Sequence, residues 1–240
     1  MCIGRHCFSQ DKSTSIITEV MVCLCFILLS ILLYDHPTHS LSTLFLANHV
    51  LLPEWVLWKH TGGHKKDPNS WKDSFKELCA FSTIEDFWRY YNHIPKPGQV
   101  FFDGDSKKRV GVNNEIIEEY SLFKKGIEPE WGDPKNKTGG EWFWRSSMDG
   151  DILDLFWQNM VLGVIGEMME DPTVGFHING ARAVDKSKNY PIFKIELWLD
   201  TKDATIKEQI RIKLVETICH GLPANKAVKN NPRFEWKDHS

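Results

Sequence analysis

Two tryptophans in this chain stand where a core residue would not be expected. Trp71 sits in Asn69-Ser70-Trp71-Lys72-Asp73, after a loop rich in Gly and Pro, and Trp131 ends Gly126-Ile127-Glu128-Pro129-Glu130-Trp131, just before another polar loop. Indole is costly to leave in water and is usually buried. On turn-rich segments its use is stacking: a flat, cationic ring held between two indoles gains dispersion and cation–π energy. The competing reading is that these two belong, with the other eight of the ten tryptophans, to ordinary packing.

Other chemistries are poorly represented. No GxSxG, HExxH, phosphate-binding Walker loop or GxGxxG occurs, and Gly139-Gly140 reads as a turn. The ten histidines are scattered. Of the six cysteines, four fall in the first 25 residues, with no CxxC pair or His-linked metal spacing. That argues against a disulfide framework and for a reducing compartment. A formal charge of −3 argues against a general nucleic-acid binder, while leaving room for a small anionic ligand held by a few local Arg or Lys residues. Binding without catalysis, metal or cofactor is the expectation.

The elements that must carry such a slot can be read from periodicity. Glu54–Lys59 alternates as a strand, and Phe75, Leu78 and Phe81 suggest a second strand or a short turn. Ser82-Thr83-Ile84-Glu85 is a capping box with Ser82 as the cap, opening a helix with Ile84, Phe87, Trp88 and Tyr91 on one stripe and an end near His93-Ile94-Pro95. Residues 95–119 read as an inserted surface loop. A helix over 150–168 buries Leu153, Trp157, Val161, Val164 and Met168. Strands follow over 175–185 and 190–199, the second with Phe193, Ile195, Leu197 and Leu199 on one face and Lys194, Glu196 and Trp198 on the other. A last helix starts near Asp200 or Thr201, aligns Ile206, Ile210 and Leu214, and stops at His220-Gly221-Leu222-Pro223. Strands and helices do not alternate regularly, which gives an α+β class with an antiparallel sheet.

Residues 1–52 form an N-terminal extension ahead of a domain over 53–240. Residues 16–34 are apolar but for Glu19, close to the roughly 20 residues a membrane helix needs. A membrane span, a signal segment, an unstructured extension and a gene-model artefact all fit this stretch. Translocation through it would conflict with a cytoplasmic role.

Several segments resemble the eukaryotic translation initiation factor 4E family. These are Glu85 to Ile94 (EDFWRYYNHI), Tyr120 to Trp131 (YSLFKKGIEPEW), Asp133 to Trp142 (DPKNKTGGEW), Phe156-Trp157, Ile165-Gly166-Glu167 and Gly180-Ala181-Arg182-Ala183. The resemblance spans about residues 53–223. It implies a curved antiparallel sheet with about three helices on the convex face and a slot for the mRNA 5′ cap on the concave face. Trp71 and Trp131 would sandwich 7-methylguanine, Trp198 would lie near the methyl group, and Arg182 would contact the phosphates. Lys188 is the first choice for the family's phosphate-binding lysine and Lys186 the second. On the back, Trp88 with Ile84, Leu162 and Gly166 would receive a helix from a 4G-type scaffold or a 4E-binding repressor. His36-Pro37 is similar to the family's His-Pro dipeptide but stands far from Trp55.

Two departures stand out. Gly132 replaces the glutamate that reads guanine after the second stacking tryptophan, a loss worth about 1–3 kcal/mol, with Asp133 and Glu130 nearby but out of place. Glu141 replaces a basic residue near the phosphates, where it would oppose the anion unless Lys226, Lys229 or Arg233 compensates. Asn231-Pro232-Arg233-Phe234 resembles the family's terminal Asn-Arg-Phe segment. The expectation is a divergent member that binds the cap of cytoplasmic mRNA in translation initiation. The alternatives are a weakly or non-cap-binding paralogue acting as repressor or interaction module and, more distantly, a membrane-tethered domain stacking on sugars.

Overall fold

Seven strands form one antiparallel sheet in the order β2-β1-β3-β5-β6-β4-β7 in a computed structural model of the chain. The structure describes residues 49–62, 74–108, 110, 114–227 and 230–239. The strands are β1 (Val50–Thr61), β2 (Phe75–Thr83), β3 (Ile117–Lys124), β4 (Gly140–Ser146), β5 (Ile178–Asp185), β6 (Phe193–Leu199) and β7 (Glu235–Asp238). Among the described residues three helices exceed two turns: α1 (Ile84–Tyr91), α4 (Gly150–Ile165) and α5 (Ala204–Ile218). Single turns make α2 (Pro97–Val100), α3 (Pro134–Lys137) and α6 (Ala224–Ala227).

Alternation sorts the strands into two faces. Leu57, Leu122, Ala181, Ala183, Ile195 and Leu197 point to the helices and meet Phe87 of α1, Phe156, Trp157 and Met160 of α4 and Leu214 of α5 in one core. The opposite face carries a small apolar cluster, Phe123, Ile127 and Trp198, together with Glu119, Glu141, Arg182, Lys194 and Glu196. Gly139 lets the turn before β4 close onto β6: a Cβ there would lie 1.8 Å from the Leu199 carbonyl oxygen. That is a packing requirement, with no phosphate cradle involved.

Several element ends differ from the sequence reading, each for a local reason. Thr83, and not Ser82, caps α1, its hydroxyl accepting from Asp86 N at 3.1 Å. Glu85 turns away from the cap and accepts from His49 N at 3.1 Å and pairs with His49 Nδ1 at 2.8 Å. Helix α4 stops at Ile165 because Glu167 adopts φ 52, leaving Met168 outside the helix and 39% exposed. Strand β5 starts at Ile178, since Gly175 turns the chain at φ 102 and the Glu170 carboxylate takes Ile178 N at 2.8 Å and the His177 backbone N–H. Strand β6 starts at Phe193, after a turn in which Ser187 Oγ accepts from Ile192 N at 2.9 Å. Helix α5 starts at Ala204, with Asp203 accepting from Thr205 N and Ile206 N.

The stretch 95–119 is more than a surface loop. Val100, Phe101 and Phe102 are buried, and Gly98 N donates to Asp154 Oδ1 on α4 at 2.6 Å. The apolar stretch 16–34 and His36-Pro37 lie outside the described residues. Among the described residues no helix is long and apolar enough to cross a membrane.

Candidate functional site

Strand register gathers the site. One rung across the face opposite the core runs Ser121, Arg182, Glu196, Phe143 and Glu235; the next runs Phe123, Gly180, Trp198, Glu141 and Lys237. Residues two apart on each strand share this face, so Arg182 lies beside Trp198 and Glu196 beside both.

Trp131 stands at the rim of this face, 48% exposed. Its loop, between β3 and β4, is pinned from beneath. Asn136, fully buried, donates from Nδ2 to the Glu128 and Glu130 carbonyls at 2.8 and 2.9 Å and accepts at Oδ1 from Asn179 on β5 at 3.0 Å. Asp133 accepts from Glu128 N and Lys135 N, which commits it to the loop and removes it as a ligand carboxylate. Lys237 Nζ sits 3.9 Å from the Trp131 ring centroid. An exposed indole on a rigid base is ready to stack without a folding cost. A Cβ at Gly132 would meet only Glu130 Oε1, at 3.9 Å. Trp71, the other expected plate, lies outside the described residues.

Trp198 lies on the expected face of β6 but is covered there. It is fully buried, with Nε1 donating to Glu196 Oε2 at 2.8 Å, Phe123 edge-on at 5.4 Å, the Arg182 guanidinium 5.0 Å from its ring and the His239 ring 4.3 Å away. As folded it offers no surface to a ligand.

Arg182 is largely buried and spoken for on two sides. Its Nε donates to Glu119 Oε1 at 2.7 Å, its Nη2 binds Glu119 Oε2, and its Nη1 lies 3.2 Å from Glu196 Oε2. Burial works against its charge, but Glu119 and Glu196 outweigh it and raise its pKa further above the ordinary value. Two of its five N–H groups thus donate to Glu119, and Nη1 is ion-paired with Glu196. Lys194, missed as a site residue, bridges Glu141 at 2.8 Å and Glu196 at 2.6 Å. Desolvation opposes its charge too, and the two carboxylates overcome it. Lys186 and Lys188 are exposed. Desolvation lowers the Lys186 pKa; Glu196 opposes that and Arg182 adds to it.

Glu141 is not the free carboxylate expected to repel an anion. It is fully buried, held by Lys194 and by His239 Nε2 at 3.3 Å. Burial favours its neutral form, yet His239 and Lys194 prevail and bring its pKa down to about 2. The compensation expected from the tail comes from elsewhere: Lys226 binds Asp151 at 2.6 Å, Lys229 lies outside the described residues, and Arg233 is exposed. A carboxylate lowered in the folded state contributes stability that is complete above its unfolded value near 4.5 and is lost as pH falls toward about 2. Glu115, gripped by Lys59 and Lys76 and also lowered to about 2, adds in the same direction. Urea midpoints measured between pH 6 and pH 2.5 are expected to fall through that window, with a shallower fall in Glu141→Gln.

On the helical side, Trp88, Ile84 and Leu162 are half-buried at the edge of the core, and Gly166 is exposed beyond α4. Trp88 packs edge-on against Phe87 at 4.9 Å and Tyr91 at 6.0 Å, so part of its ring is structural.

The architecture is one antiparallel sheet, with helices behind it and charged and aromatic groups in front. The family model for eukaryotic initiation factor 4E matches residues 50–240, and the chain belongs to that family. Eukaryotic translation initiation factor 4E of Candida albicans is 36% identical over 198 residues, covering 81% of each chain. Factor 4E-2 of Schizosaccharomyces pombe is 33% identical over 181 residues, covering 74% of this chain but 65% of that protein, so just under two thirds of its length is matched. Among solved structures, Ascaris suum eIF4E-3 with m7G cap aligns with a TM-score of 0.61 at 27% identity, covering 81% of this chain and 93% of that one. Caenorhabditis elegans eIF4E-3, in complex with the 4E-binding protein Mextli and cap analog, aligns at 0.59 and 26%, covering 79% and 92%.

Proposed function

We propose that this protein binds the 7-methylguanosine cap of mRNA, and a helical segment of a scaffold or repressor protein, in cytoplasmic translation initiation. The observation that carries the reading is Trp131: a half-exposed indole on a pinned loop, beside a face that holds Arg182 and Lys194. The relatives solved with cap or cap analog support it, as does the one solved with a 4E-binding protein.

The chemistry follows from charge. Methylation at N7 makes guanine a planar cation, which an indole face binds more tightly than neutral guanine. Trp71 would supply the second plate. Lys186 and Lys188 take the outer phosphates, and the Arg182 donors not bound to Glu119 take the inner one, each contact worth about 1.5–3 kcal/mol. Trp88, with Ile84, Leu162 and Gly166, forms the docking patch for the helix.

The test is retention on immobilised 7-methyl-GTP, eluted by free cap analogue and not by GTP. Elution by both, or no retention, contradicts the reading. Gly132→Glu is expected to strengthen binding about tenfold or more, because it restores a carboxylate facing guanine N1 and N2. Room exists for that side chain, and Gly132 has no positive φ to strain. Weaker binding by Gly132→Glu would misplace the slot.

One set of observations favours a weak cap binder that works chiefly through its partner surface. The base-reading carboxylate is missing at Gly132, and Arg182 and Lys194 are already paired. Intact binding of a scaffold-derived helix together with no cap retention would establish that version.

A further inference from the structure

Trp198 is fully buried although it belongs to the ligand-facing side of the sheet. Besides Phe123 and Arg182, the ring is covered by His239, the residue after β7. Its ring centroid lies 4.3 Å from Trp198 and 6.2 Å from Trp131, tilted only 28° from the Trp131 plane. His239 is itself 2% exposed. We propose that the β7 segment closes the ligand slot with its own side chain: His239 fills the space between Trp131 and Trp198 that a planar cationic base would enter, and binding requires it to leave. This inference rests on the cap-binding reading and concerns the regulation of that same site.

Four contacts hold the plug, the longest from Lys202 Nζ to the His239 carbonyl at 3.4 Å. His239 N donates to the Gly139 carbonyl at 3.0 Å, Nδ1 faces the Asn136 carbonyl at 2.9 Å, and Nε2 faces Glu141 Oε2 at 3.3 Å. Both ring nitrogens therefore face acceptors. The slot as folded thus already holds a planar ring beside Trp131 and Trp198. Lys237, from the same segment, places its ammonium over the Trp131 ring.

The plug is mounted on an element that can move. Strand β7 has four residues, lies at the edge of the sheet with one neighbour, and is mostly exposed. Short edge strands open at low cost relative to the core. Release would uncover the part of Trp198 that His239 covers and return Glu141 to Lys194 alone. A closed state that must open first lowers the apparent affinity by the open fraction.

The experiment compares the unaltered chain with His239→Ala, titrating 7-methylguanosine and 7-methyl-GTP against intrinsic fluorescence. The plug predicts about tenfold tighter binding in His239→Ala, by the same factor for both ligands, since the gain comes from the base slot. Glu141→Gln provides a second opening should His239→Ala not fold; it removes one pin and is expected to give a smaller gain with 7-methylguanosine. Unchanged or weaker 7-methylguanosine binding in whichever of these variants folds, or a gain confined to 7-methyl-GTP, overturns the plug and leaves the cap reading intact. No binding by any of the chains removes both.

Discussion

Arg182→Met is expected to unfold this protein some 6–20 °C below the unaltered chain. The substitution leaves Glu119 and Glu196 buried with part of their countercharge gone. Both carboxylates are close to full burial, and Arg182 is the residue that bridges them. Removing one partner of a buried ion pair typically costs about 3–5 kcal/mol, because the remaining charge stays desolvated. In a domain of this size each kcal/mol moves the melting temperature by about 2–4 °C. Arg182→Lys keeps the charge but loses the two-pronged grip on Glu119, and should fall between. Adding Glu119→Gln to Arg182→Met should recover part of the loss. A thermal melt reads all three, and an unchanged melting temperature in Arg182→Met would mean the network is dispensable. Loss of ligand binding in an Arg182 variant therefore speaks to phosphate contact only at temperatures where the variant is folded.

Trp131→Ala should do the reverse: leave the fold alone and remove the ligand. Half of the ring is in solvent, and the loop's own hydrogen bonds come from Asn136 and Asp133. Its melting temperature should match the unaltered chain within a degree or two. A stacked base is worth about 1–3 kcal/mol to the indole beneath it, so cap-analogue affinity should fall roughly 10- to 100-fold. Calorimetric titration checks the affinity and a melt checks the fold. Preserved affinity would place the base elsewhere.

What the sequence made legible follows from the range of each signal. Alternation within β6 put Lys194, Glu196 and Trp198 on one side, and the register confirms that face. The stripe of α1 and the apolar spacing of α4 and α5 located the helices. Ends were read less well, because they depend on groups distant in sequence. Glu85 leaves the capping box for His49, and Glu170 fixes the start of β5 from eight residues away. Motifs singled out Trp131 and Arg182, and the structure brings both to the face opposite the core. Glu141 looked hostile to an anion because its two partners, Lys194 and His239, come 53 and 98 residues later. Nothing local in Trp236-Lys237-Asp238-His239 marks His239 as a plug; only the pairing of β7 with β4 brings it to Trp198.

The central claim is that this face recognises a methylated, positively charged guanine through Trp131. A single titration of intrinsic fluorescence decides it, with 7-methyl-GTP and GTP added in parallel to the unaltered chain. Saturable quenching by 7-methyl-GTP at concentrations where GTP leaves the signal unchanged is the result expected. Equal responses to the two nucleotides, or none to either, would contradict it.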